Sequence, residues 1–220
     1  MTAGWIGCLC FLIPAVAAAD PGMNPRELDA WFNSKSTAEV NEGNLSFLIE
    51  LPAKPIHHHQ NQIRITPDSL ATGWTDLMQC HDNLDSVPRA QITFREGYVR
   101  ELRVVESRAI GEAWVQGPTI QLRNVSPNAR LCLEAQTRAL KNTGEGYFSL
   151  FNGPYMRKFL DGYYPMRVSL RLEYPASLLQ LIDISPAEQP GFTIQQEAGQ
   201  VMIDTVFEGE LRTTIQFERK

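Results

Sequence analysis

The chain has 220 residues, with 20 Lys and Arg against 25 Asp and Glu, for a formal net charge of −5. Hydrophobic residues make up 43% and charged ones 20%, a balance that excludes long disorder, collagen-like repeats and an integral membrane bundle. A net acidic chain also lacks the surplus of Lys and Arg that a general nucleic-acid binder sets against phosphate, so nucleic acid is not an expected partner.

Residues Met1 to Ala19 carry no charged side chain. The apolar run Trp5 to Ile13 leads into Pro14 and the small residues Ala15-Val16-Ala17-Ala18-Ala19, and Asp20 follows. An apolar stretch closed by an A-x-A pattern reads as a secretory signal peptide, here cleaved before Asp20. The run is too short to cross the ~30 Å hydrocarbon core, and no later stretch is long enough, so no membrane span is expected after cleavage. The expected location is the periplasm. Cleavage removes Cys8 and Cys10 and leaves Cys80 and Cys132 in an oxidising compartment, where a disulfide is the expected state.

Residues 20–40 form a lead-in with one predicted helix, Asn24 to Phe32, in which Asn24 is the N-cap and Pro25 the first helical position. Beyond it the dominant period is two. Val168 to Tyr174 and Glu210 to Phe217 alternate apolar and polar residues in the manner of strands buried on one face. Weaker alternation marks 45–51, 62–66, 90–94, 99–105, 119–123, 130–135, 179–184, 192–196 and 200–207, with Gly, Pro, Asn and Ser turns between. Many short strands at this spacing predict a mainly β protein, an antiparallel β-sandwich. Residues 154–162 read as a short helix opened by Pro154 and closed by Gly162, with Tyr155, Met156, Phe159 and Leu160 on one face. The expectation is therefore two Ig-like or sandwich subdomains, 41–150 with the disulfide and 163–220, joined by a short helical junction over 151–162. The cysteine pair lacks the antibody pattern, since the intervening Trp114 lies far from Cys80 and position 130 holds Arg130 where a Tyr is required.

Two clusters are candidate sites. Three of the four histidines are His57-His58-His59 and the fourth is His81. In an extended chain His57 and His59 share a face while His58 points away. With His81 they could ligate Zn or Cu, with Asp82 or Asp85 completing the shell, because neutral imidazole is a good borderline ligand. The second cluster is aromatic and basic: five of the six tyrosines fall between Tyr147 and Tyr174, interleaved with basic residues. From it Tyr155, Arg157, Lys158, Tyr163, Tyr164 and Arg167 are the expected binding residues, since Tyr and Arg combine contact area with a polar handle. The acidic residues Asp68, Asp76, Asp82 and Asp85 lack the spacing of a calcium loop. No nucleophile elbow, phosphate loop, dinucleotide fingerprint or zincin motif occurs. The leading expectation is a non-enzymatic envelope protein that needs no cofactor and binds a protein, peptide or glycan through the aromatic and basic surface. The alternative is a metal-binding protein using His57, His59 and His81.

Overall fold

The computed structural model describes residues 43–159 and 162–220; the signal-like segment, the helix expected at 24–32 and Leu160 lie outside the described residues. In chain order the elements are β1 (Ser46–Phe47), β2 (His58–Arg64), the single-turn helix α1 (Ser69–Thr72), β3 (Thr75–Leu84), β4 (Val87–Thr93), β5 (Val99–Gln116), β6 (Thr119–Thr137), β7 (Leu140–Gly144), β8 (Tyr147–Tyr155), β9 (Lys158–Phe159), β10 (Gly162–Tyr163), β11 (Met166–Glu173), β12 (Leu179–Ser185), β13 (Phe192–Glu197), β14 (Gln200–Glu208) and β15 (Leu211–Arg219). The protein is mainly β, as the alternation predicts.

Among the described residues, nine strands form a large sheet in the order β1-β14-β11-β2-β3-β6-β4, with β13 also on β14 and β5 also on β6. A second sheet runs β12-β15-β8-β7, and β9 and β10 form a small hairpin. Pairing is antiparallel except for β11 beside β2, which is parallel. The inward rows of both sheets meet in one core. Leu170 and Leu172 of β11, Ile203 and Phe207 of β14, Leu131 and Leu133 of β6, and Ile63 of β2 pack in one apolar cluster with Leu150 of β8 and Leu211, Ile215 and Phe217 of β15.

This arrangement replaces the expected pair of subdomains. The described residues form one compact unit, because each sheet takes strands from both expected halves. β11 and β14 extend the sheet begun by β2, β3 and β6, while β12 and β15 complete the sheet begun by β7 and β8. The helix expected at 154–162 is also replaced. Tyr155 ends β8 as the cross-strand partner of Leu211, and Lys158–Phe159 opens the β9–β10 hairpin. Pairing with β15 and burial of Tyr155 override the local helical signals, as tertiary context routinely does to propensity. The bend at Gly153 has a steric basis. Its φ is +101°, and a Cβ there would lie 2.7 Å from the Leu211 carbonyl oxygen, so this position admits only glycine without a backbone shift.

The strands expected at 119–123 and 130–135 are one continuous β6, paired along its length with β5. Turn residues in between are absorbed as bulges. Asn124 and Asn128 take positive φ, and the β5–β6 register shifts three times. The buried row accordingly changes phase, from Ile120 and Leu122 to Val125, Ala129, Leu131 and Leu133.

Cys80 of β3 and Cys132 of β6 are direct cross-strand partners and form the expected disulfide, with Cα atoms 4.1 Å apart. No helix among the described residues is long and apolar enough to cross a membrane.

Candidate functional site: a polar floor beneath a cleft

On the core face of β2 and β3 the period of two persists while the chemistry changes. Ile63 and Leu77 are buried apolar residues, and the same rows continue into Asn61 and His59 on β2 and Gln79 and His81 on β3. His59 stands directly opposite His81. His57, just before β2, is held by a hydrogen bond from the Arg167 backbone N–H to its carbonyl at 2.9 Å. The core therefore ends in polar side chains. An unpaired buried polar group costs about 1–3 kcal/mol, so such a row persists only when it is hydrogen-bonded.

The bonding follows from the donors present. The Gln79 side-chain N–H donates to His81 Nε2 at 2.7 Å, which leaves the ring proton on His81 Nδ1 to be donated to His57 Nε2 at 3.0 Å. His59 Nε2–H donates to Asn61 Oδ1 at 3.0 Å. Asn61 Nδ2 in turn donates to Tyr155 Oη and to Asn152 Oδ1. The imidazole of His59 meets the ring of Tyr155 edge-on at 4.8 Å between centroids. The three imidazoles lie 4.4 Å (His59 to His81), 5.3 Å (His57 to His81) and 6.4 Å (His57 to His59) apart.

All three histidines are neutral at pH 7. Burial lowers His57 to about 4, with Asp85 opposing and Arg157 assisting. Burial, aided by His57, lowers His59 to about 3. His81, fully enclosed, is held well below the ordinary imidazole value, again chiefly by burial. Burial likewise pushes the Tyr155 phenol above its ordinary value.

Above this floor opens a cleft of about 580 Å³. Phe94, Tyr98 and Phe151 contribute aromatic walls, and Arg95 and Arg138 a basic edge. The Tyr98 and Phe151 rings are exposed, and the Arg95 guanidinium lies 4.1 Å above the Tyr98 ring. Away from the cleft surface, Asn152 Nδ2 and Thr213 Oγ1, on paired positions of β8 and β15, are both buried without a close hydrogen-bond partner among the described residues.

The structure brings His57, His59 and His81 together and directs His58 to the other face, where its Nε2 lies 2.7 Å from Ser169 Oγ. It does not supply the expected acidic ligand. Asp82 faces away and binds Arg130 and Gln60, and Asp85 is paired with Arg157 at 2.6 Å. Among the described residues, no group of three or more His, Cys, Asp or Glu side chains is placed so that it could hold a metal ion.

The six expected binding residues divide into three places. Tyr155 is buried in the floor of the cleft. Arg157 lies about 5 Å from the rings of Phe159 and Tyr164, and Lys158 lies 5.1 Å from that of Tyr163. Arg167 sits on the opposite face of the large sheet and chelates Asp204. The residues that sequence reasoning missed are Asn61, Gln79, Phe94, Arg95, Tyr98, Arg138, Phe151 and Asn152. Extending the 62–66 alternation backwards places Asn61 on the inward row, and that out-of-place polar residue was the available signal.

No protein-family model matches the chain, and no curated protein matches it. A solved structure of a mutant two-domain M1 zinc metallopeptidase bound to L-tryptophan is similar to it at a TM-score of 0.40 and 12% identity. The similarity covers 81% of this chain and 44% of that one, so the chain spans less than half of that structure's length.

Proposed function

We propose that this is an exported, periplasmic, non-enzymatic binding protein of the cell envelope, and that its ligand, a peptide or glycan, enters the cleft above His59, Asn61 and Asn152. The observation that carries this reading is the hydrogen-bonded polar row of His57, His59, Asn61 and His81 that floors the cleft beneath exposed aromatic walls. A hydrophobic core gains nothing from such a floor, whereas a ligand with polar groups can bond to the part-exposed imidazoles of His57 and His59. The neutral imidazoles and amides both donate and accept, which suits amide and hydroxyl groups over ions. The uncharged first 19 residues, their A-x-A ending and the disulfide support export.

Soluble muropeptides carry both chemistries and serve as the probe. Titrated into the mature chain and followed by NMR, they are expected to shift the ring signals of His57 and His59 and the side-chain amide of Asn152. The Tyr98→Ala variant, which removes an exposed aromatic wall of the cleft, is expected to weaken binding about tenfold. Equal binding by that variant, or shifts confined to the opposite face around Arg167, would remove the cleft as the site. Export is read from the N-terminus of the periplasmic form, expected to begin at Asp20.

A further inference from the structure

We propose that the cleft takes an extended acidic peptide, which adds as a further strand along the open edge of β4 with its carboxylates against Arg95 and Arg138. This rests on the reading of the cleft as the binding site, and it narrows the ligand from peptide or glycan to peptide.

Among the described residues β4 pairs with β6 alone, so its other edge is open there. In an antiparallel pair, residues that bond to the neighbour alternate with residues whose N–H and C=O point away. The Phe94 N–H donates to the Pro118 carbonyl at 2.9 Å. The register continues with Ile92 opposite Ile120 and Ala90 opposite Leu122. Phe94, Ile92 and Ala90 therefore face β6, and the backbone groups of Gln91 and Thr93 face the open edge. Residues 91–95 line the cleft. Such a row of outward N–H and C=O groups is a template for an added strand.

The edge of β5 shows how this fold guards a strand against pairing. Its register with β6 shifts three times, and Arg100, Glu101, Arg103, Glu106, Arg108 and Glu112 stud it. β4 has no such guard. Its register is unbroken from Arg89 to Thr93, and residues 90–93 carry no charge. Pro88 falls on the same alternation as Phe94, so its missing N–H is on the β6 side and the open edge stays whole.

The occupant's charge follows from the residues beyond the end of β4. Arg95 and Arg138 are exposed at the cleft. Neither forms an ion pair among the described residues, and Glu96 pairs with neither. Two free guanidinium groups on a chain of net charge −5 select carboxylates locally, since their forked donors match carboxylate oxygens. The outward groups of Gln91 and Thr93 recur about every 7 Å, the repeat of an extended peptide. That repeat favours a peptide over a glycan.

The test is amide hydrogen exchange, read by NMR on the mature, disulfide-intact chain. The probes are a synthetic peptide of alternating Thr and Val with a pair of Asp at its C-terminus, its isomer with the pair at the N-terminus, and the same peptides with Lys for Asp. In the free chain Ile92 and Phe94 are expected to be protected, and Gln91 and Thr93 to exchange freely. An Asp-ended peptide is expected to slow Gln91 and Thr93 about tenfold or more, and to bind about tenfold more tightly than its Lys counterpart. Gln91→Pro removes an outward N–H and keeps the bonds to β6; it is expected to weaken binding about tenfold. Arg95→Ala with Arg138→Ala is expected to erase the preference for Asp over Lys. Should a variant fail to fold, the wild-type exchange decides. Gln91 and Thr93 already protected in the free chain, protection that grows with chain concentration alone, or no protection at about 1 mM of either Asp-ended peptide overturns the proposal. Muropeptide shifts at His57 and His59 without peptide protection at β4 overturn strand addition and leave the cleft as the site. Peptide protection at β4 without muropeptide shifts supports strand addition and removes only the muropeptide as a ligand.

Discussion

The side-chain amide of Asn61 donates to the phenol of Tyr155 across the space between the two sheets. Asn61 belongs to β2 in the large sheet and Tyr155 ends β8 in the small one, so this bond fixes the width of the polar end of the core. It also sets the neighbouring donors in place, since Asn61 accepts from His59 on the same side chain.

Tyr155→Phe keeps the ring against His59 and removes the oxygen. Asn61 Nδ2 then retains only the longer bond to Asn152 Oδ1, at 3.3 Å. The expected loss is about 1–2 kcal/mol of unfolding free energy, the cost of leaving a buried donor short of a partner. Urea denaturation measures it, and an unchanged midpoint would mean that water supplies the missing acceptor at no cost.

The disulfide joins residues 52 apart in sequence. Closing a loop of that length in the unfolded chain is worth about 4 kcal/mol in the chain-entropy estimate. Replacing Cys80 and Cys132 together by Ser is expected to lower stability by that order. Free-thiol titration of the unfolded, unreduced mature chain is expected to find none. One or more thiols per chain would show that the bond does not form in the native compartment.

Asp204 provides a dependence on pH. Partial burial raises its pKa, but the hydrogen bonds from Arg167 and Ser169 outweigh that and hold the carboxyl below its ordinary value. The unfolded chain then binds the proton more readily. The stabilisation is complete above the ordinary carboxylate value near 4 and is lost as pH falls through the lower folded value. Because Arg167 and Asp204 are both partly exposed, Asp204→Asn is expected to cost about 0.5–1 kcal/mol at neutral pH. That difference is expected to shrink as denaturation is repeated from about pH 5 down to about pH 3. A difference that holds constant over that range would assign the effect to packing.

How much of this was legible in the sequence depends on whether the relevant contacts are local. The alternation at 168–174 and 210–217 predicts β11 and β15 closely, because each strand has one buried face and the pattern of two is complete within it. The helix at 154–162 was misread because its end signals, Pro154 and Gly162, serve equally well in a strand bend and a hairpin; what decides is Leu211, more than fifty residues on. The division into halves failed for the same reason, since pairing between β2 and β11 leaves no mark in either strand. At the site, the face shared by His57 and His59 follows from period two alone. The approach of His81 does not, because it requires the register between β2 and β3.

The parallel pairing of β2 with β11 has a consequence for when this molecule can fold. Arg167 to Glu173 lie beside His58 to Arg64, so the strand that carries His59 and Asn61 has one edge unfilled until more than a hundred further residues have been delivered. The second sheet is later still, because its central strand β15 runs from Leu211 to Arg219. Long-range pairing of this kind makes assembly slow and late. A chain emerging N-terminus first can pair β3, β4 and β5 with β6 and β7 with β8 early, but it cannot close the core between the sheets until β11 to β15 arrive. The cleft is among the last things made.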